Sequence, residues 1–76
     1  MAETVVTSTK EIGELLRAAR KQGGLTQVDF AMLANAGNRL IVDAENGKPT
    51  LQAQRLLDLL SLAGLEVVVR SKRTSA

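Results

Sequence analysis

Two blocks of sequence, Leu25-Thr26-Gln27 and Glu45-Asn46-Gly47-Lys48-Pro49, bracket a span that holds two short helices and a turn. Thr26-Gln27-Val28-Asp29 is a helix-start signal. The Thr26 hydroxyl can accept from a first-turn amide, and Asp29 stands where Glu more often reaches back. A helix is predicted from about Gln27 to Leu33 or Ala34. Asn35-Ala36-Gly37 then reads as a tight turn, because Asn and Gly both tolerate positive φ. A further helix is expected from about Asn38 to Glu45. Asn46-Gly47 stops it, and Pro49 bars its continuation.

Working outward, Ser8-Thr9-Lys10-Glu11 has the form of a capping box, with Glu11 bonding back to the cap. A helix follows to about Gln22, with Ile12, Leu15, Leu16 and Ala19 on one face. Gly23-Gly24 ends it. Downstream, Thr50 is expected to cap a last helix running to about Ala63, with Leu56, Leu57 and Leu60 inward and Gly64 closing it. Leu51, Leu59 and Leu62 fall partly off that stripe and read as core or as an apolar patch for a partner. Leu65-Glu66-Val67-Val68-Val69-Arg70 then switches to the period and β-branched composition of a strand. A lone strand leaves its backbone unpaired. Pairing with the same strand of a second copy, across a two-fold axis, solves that. Residues 1–7 read as an extended arm, 8–64 as the helical domain, 65–70 as a dimerisation strand (Leu65, Val67, Val68, Val69), and 71–76 as a short basic tail.

Composition narrows the function. The 76 residues make one small domain whose single aromatic is Phe30. A chain this size buries only about 60% of its unfolded surface, so dimerisation is an expected source of stability. With no Cys and no His, there is no disulfide, no convincing zinc site and no recognisable catalytic arrangement. No metal, cofactor or enzymatic activity is expected. No apolar run reaches the ~18 residues of a membrane span, and the start lacks the pattern of a signal peptide. A cytoplasmic protein is expected. Ten basic against eight acidic residues give a net charge of +2, a mild pointer to a polyanion. Arg17, Arg20 and Lys21 cluster before the motif, and Arg70, Lys72 and Arg73 form the tail.

The central span meets the demands of a helix that enters the DNA major groove while its predecessor crosses the backbone. Thr26 and Gln27 offer side chains and free amides to phosphate. Asn38 and Arg39, at the start of the next helix, are the residue types that bond adenine and guanine bidentately. Asn46 and Lys48 lie where a second phosphate contact is natural.

On these residues the chain resembles the lambda-repressor-like, Cro/CI-type (XRE) helix-turn-helix family. The resemblance rests on Arg20 ahead of Gly24-Leu25-Thr26-Gln27, followed by Glu45-Asn46-Gly47-Lys48-Pro49. The later run Leu56 to Val69 is similar to HipB-type antitoxins, so the likeness spans about Ser8 to Val69. It implies an all-α domain of four helices plus a C-terminal strand that forms an intersubunit β-ribbon. It implies a buried structural ion pair between Arg20 and Glu45. It further implies a glutamine contact to DNA at Gln27, a recognition helix starting at Gly37, Asn38 and Arg39, groove-facing positions at Val42 and Asp43, and a phosphate contact at Asn46. Two departures stand out. Gly37 and Val42 occupy places where the family usually has Ser or Thr, so the third helix lacks a side-chain cap. Asp43 would be repelled by phosphate, though it can accept from a cytosine amine, and Val42 can touch a thymine methyl. Ala36 and Ala44, where larger apolar residues are common, suggest light packing behind the third helix.

The resulting expectation is a homodimeric repressor of a palindromic operator, acting as the antitoxin of a toxin–antitoxin operon and binding a HipA-type serine/threonine kinase toxin. The alternatives are a stand-alone phage-type repressor, or a protein-interaction module with a degenerate helix-turn-helix and little DNA binding.

Overall fold

A computed structural model describes residues 3–72. Among them are four helices: α1 (Thr9–Gln22), α2 (Gln27–Leu33), α3 (Asn38–Glu45) and α4 (Ala53–Leu62). The first three begin and end where their caps predict. Ser8 is extended, and its hydroxyl accepts from the Glu11 amide at 3.1 Å. Glu11 does not return the bond to the cap backbone. Its carboxylate accepts instead from the Thr7 amide at 2.8 Å, the Thr7 hydroxyl at 3.0 Å and the Ser8 hydroxyl at 3.2 Å. The Thr7 amide, above all, holds the Glu11 carboxyl below its ordinary range.

Each helix closes with the same pair of backbone bonds, in which two amides past the cap turn back to the last carbonyls. After α3, Gly47 donates to Ala44 at 3.1 Å and Lys48 to Asp43 at 3.0 Å. The residue after each cap takes positive φ: Gly24, Asn35, Gly47 and Gly64. Asn35, at φ 51°, therefore makes the turn before α3. Gly37 does not share that role as expected. Its φ is −74°, an ordinary extended value for the residue that precedes a helix.

The core is aliphatic around one ring: Leu16, Phe30, Ala31, Ile41, Ala44, Leu59 and Leu60. Helix α3 packs against both α1 and α2. Packing behind it is closer than its small residues suggested. A Cβ on Gly13 would sit 2.6 Å from the carbonyl oxygens of Ala44 and Glu45, so α1 and α3 touch backbone to backbone. Ala44 is small because the helix facing it is near. The Thr9 hydroxyl fixes the same crossing by donating to the Gly47 carbonyl at 2.8 Å.

The last helix departs from expectation in start and phase. Thr50 lies in a turn, and Gln52 occupies the cap with no side-chain bond. The turn seats Leu51, half-buried, against the core before α4 begins. Once α4 starts at Ala53, its inward stripe is Leu56, Leu59, Leu60 and Ala63. Leu59 is 2% exposed and Leu57 44%, the reverse of the predicted assignment.

The expected strand is not formed within this chain. Residues 65–70 have no regular structure, and no strand occurs among the described residues. A strand needs a ladder partner, and this chain alone provides none. Leu65 turns back instead: its amide donates to the Leu60 carbonyl at 2.9 Å and its side chain packs on the core. Val67, Val68 and Val69 are exposed. Residues 3–7 of the predicted arm are likewise irregular, and Glu3 pairs with Arg70 at 3.2 Å, which brings the two ends together. Arg73 and the residues after it lie outside the described residues.

Candidate nucleic-acid interface

The site is built on the starts of α2 and α3. Thr26 caps α2 with a complete capping box. Its hydroxyl accepts from the Asp29 amide at 3.0 Å, and the Asp29 carboxylate accepts from the Thr26 amide at 3.1 Å. That amide bond is the main cause holding the Asp29 carboxyl below its ordinary range. Asp in place of Glu therefore costs the box nothing in connectivity. Thr26 is exposed, and its side chain also supports the Asp29 carboxylate.

Beneath Thr26 lies a buried polar group. Arg20 and Glu45 are both buried. The Arg20 guanidinium grips the Glu45 carboxylate with two bonds, Nε to Oε2 at 2.5 Å and Nη2 to Oε1 at 3.0 Å. Its Nη1 donates to the Leu25 carbonyl at 2.7 Å. The bonds to Glu45, more than any other influence, stabilise the charged guanidinium and raise its pKa. This group ties the end of α1 to the end of α3 and to the loop before α2, as the sequence suggested for a structural pair. No buried side-chain nitrogen or oxygen among the described residues lacks a hydrogen-bond partner.

Sequence reasoning did not foresee that Gln27 joins this group. Its Nε2 donates to Glu45 Oε1 at 3.2 Å. The half-buried Gln27 amide is thereby oriented by a buried charge, with its carbonyl oxygen left over.

On α3, Gly37 precedes the helix with no side-chain cap, and open space surrounds the position of a Cβ there. Gly37 and Asn38 are exposed. The Arg39 side chain is 86% exposed and its Nε donates to Asp43 Oδ1 at 3.1 Å. Asp43 Oδ2 pairs with Lys48 Nζ at 3.5 Å. The Asp43 side chain itself is only 18% exposed. Val42 is half-buried, while Asn46 is exposed and forms the C-cap. The structure thus joins Arg39, Asp43 and Lys48 in one group and Gln27 with Arg20 and Glu45 in another. The i, i+4 spacing of Arg39 and Asp43 was the available signal for the first group.

Among the described residues no cluster of acidic side chains could hold a metal, and no helix is long and apolar enough to cross a membrane.

The chain is similar to known proteins in sequence and in fold. Residues 11–72 match a family described as a helix-turn-helix domain. The chain is 40% identical over 67 residues to the uncharacterized HTH-type transcriptional regulator y4mF of Sinorhizobium fredii, covering 88% of this chain and 87% of that protein. Its fold is similar to a chain of a HipB–O2 20mer complex, with TM-score 0.83 and 17% identity over 95% of this chain and all of the other. It is similar also to a chain of a HipA–HipB–O2–O3 complex, with TM-score 0.82 and 17% identity over 93% of this chain and all of the other. The chain belongs to the XRE-type helix-turn-helix family of transcriptional regulators.

Proposed function

We propose that this protein is a homodimeric, sequence-specific repressor that binds a palindromic operator in its own promoter, as the antitoxin of a HipB-like toxin–antitoxin pair. The observation that carries the reading is an exposed Asn38-Arg39 at the start of a helix fixed from behind by the Gly13 crossing and the Arg20–Glu45–Gln27 group. A rigid scaffold presenting Asn and Arg at a helix start is what major-groove readout requires. Gly37, Val42 and Asn46 then line the groove or meet the backbone, and Thr26 at the start of α2 meets phosphate. The fold it shares with chains in HipB–DNA and HipA–HipB complexes supports both DNA and a HipA-type kinase as partners.

Dimerisation falls to Val67, Val68 and Val69, whose exposure (93% for Val69) is relieved if 65–70 pairs with its copy as a two-stranded ribbon. Repression follows from occupying a promoter with half-sites spaced about one helical turn, ~34 Å, or a multiple of it. The protein works in the cytoplasm, without a cofactor.

Titrating the full chain against its upstream DNA tests this. Binding should weaken steeply with salt, log K falling about 0.9 per phosphate contact for each tenfold rise. Gln27→Ala and Arg39→Ala should weaken it. Salt-independent binding, or binding intact in both variants, contradicts the reading. Sedimentation of Val67→Asp/Val69→Asp should show a monomer if the ribbon is right.

A second reading, an interaction module that binds a toxin and touches DNA weakly, is favoured by the apolar exposure of Met32, Leu33 and Leu62. It predicts that DNA binding survives neither physiological salt nor competition with unrelated duplex.

A further inference from the structure

We propose that Asp43 is a positioning residue, not a base contact: it holds Arg39 in one orientation for a guanine edge and keeps Lys48 from indiscriminate phosphate binding. The inference rests on the reading of α3 as the DNA-facing helix, and it names what sets the selectivity of that helix.

Three observations carry it. Both Asp43 oxygens are engaged by cations, Oδ1 by Arg39 and Oδ2 by Lys48, and the side chain is mostly covered. A carboxylate so occupied has little left for a cytosine amine. Arg39 uses its Nε for this bond, and among the described residues its two terminal nitrogens have no hydrogen-bond partner. Those two nitrogens are the fork that matches O6 and N7 of guanine. A side chain as exposed as Arg39 would otherwise sample many rotamers. Anchoring it at Nε aims the fork without using it. Lys48, beyond the end of α3, is held to the same carboxylate. Arg39, Asp43 and Lys48 therefore present a net +1 to a duplex where two free cations would present +2. Binding to any phosphate backbone is weakened, while the guanine contact is organised in advance.

The full chain, Asp43→Asn, Arg39→Ala and the double variant are tested by selection from a randomised duplex library. Titrations on the selected duplex and on a mixed-sequence duplex follow, across a salt series. Asp43→Asn should bind the mixed-sequence duplex several-fold more tightly, with a salt slope steeper by about 0.9, the signature of one further phosphate contact. It should lose about tenfold of preference at one base pair, the same base pair at which Arg39→Ala loses its preference. The double variant should lose no more there than Arg39→Ala alone. Asp43→Glu should recover part of the preference, and thermal unfolding should be unchanged in all four. Unchanged preferences and slope in Asp43→Asn overturn the proposal. So does a loss at a base pair that Arg39→Ala leaves intact, which marks Asp43 as a direct contact. A loss spread over every position with a lowered melting temperature also overturns it, since Asp43 is then structural support. If the wild-type chain shows no base preference at all, the repressor reading falls first and this one with it.

Discussion

Arg20–Glu45 and Arg39–Asp43 are both arginine–carboxylate pairs, and α3 carries Glu45 of the first and both members of the second. They differ in solvent. The first is buried, bidentate and joined by Leu25 and Gln27. The second is a single bond from an exposed arginine. Buried charges cost much to desolvate, so removing one partner leaves the other stranded. An exposed pair contributes ~0–1 kcal/mol and frees its members for other partners. The same chemistry thus fixes the domain on the inside of α3 and stays available for a ligand on the outside.

The contrast can be broken most forcefully at Glu45. Glu45→Ala should destabilise by about 3–5 kcal/mol, the cost of leaving Arg20 buried and unpaired. A domain of this size has about 4–11 kcal/mol in all, so urea unfolding should show a chain near the edge of folding. Arg39→Ala should leave the same curve within about 1 kcal/mol. Equal losses from the two variants would erase the distinction.

Next in size is Gly13. In an ordinary helix Gly→Ala stabilises by up to about 1 kcal/mol. Gly13→Ala should do the opposite, costing about 1–3 kcal/mol, because the new methyl meets two α3 carbonyls that cannot move cheaply. A rise in melting temperature would show that the helices do not cross this closely. The smallest expected change is at Gly37, where φ is ordinary and space is open. Gly37→Ser should supply the missing α3 cap and stabilise by a few tenths of a kcal/mol. A measured loss of stability would contradict the open space around Gly37.

Acid should act on the caps of α1 and α2. Glu11 and Asp29 both have carboxyls held below their ordinary values of 4.5 and 3.8. A depressed carboxyl adds stability above its unfolded pKa and loses it as pH falls through the folded one. Helicity should therefore begin to fall below about pH 4.5, with the loss complete under the lowered folded values. Glu11→Gln and Asp29→Asn should flatten that dependence in circular dichroism, starting from a lower plateau. An unchanged acid transition in both would mean that the caps do not sense pH.

Much of this was legible in advance, for identifiable reasons. Caps are local chemistry, so Ser8, Thr26 and the glycines after α1 and α3 located the first three helices. Arg20–Glu45 was readable from its place in a known pattern. The phase of α4 was not. With leucines at 56, 57, 59, 60 and 62, several inward stripes are equally apolar, and the packing partner selects one. Gly13 is a glycine inside a helical pattern, which is itself a sign of close backbone approach. Residue type points Gln27 outward to DNA, whereas its bond to Glu45 depends on a tertiary contact between α2 and the end of α3. Residues 65–70 carry a β pattern, but they meet no ladder partner among the described residues and take no regular structure.

Whether the inside of α3 holds the fold while its outside reads DNA is decided by two quantities measured on Arg39→Ala. These are the urea midpoint and the affinity for the upstream duplex at fixed salt. The midpoint should stay close to wild type and the affinity should fall by about tenfold or more, the value of a lost bidentate base contact. An unchanged affinity, or a collapse of the fold, would contradict this division of α3.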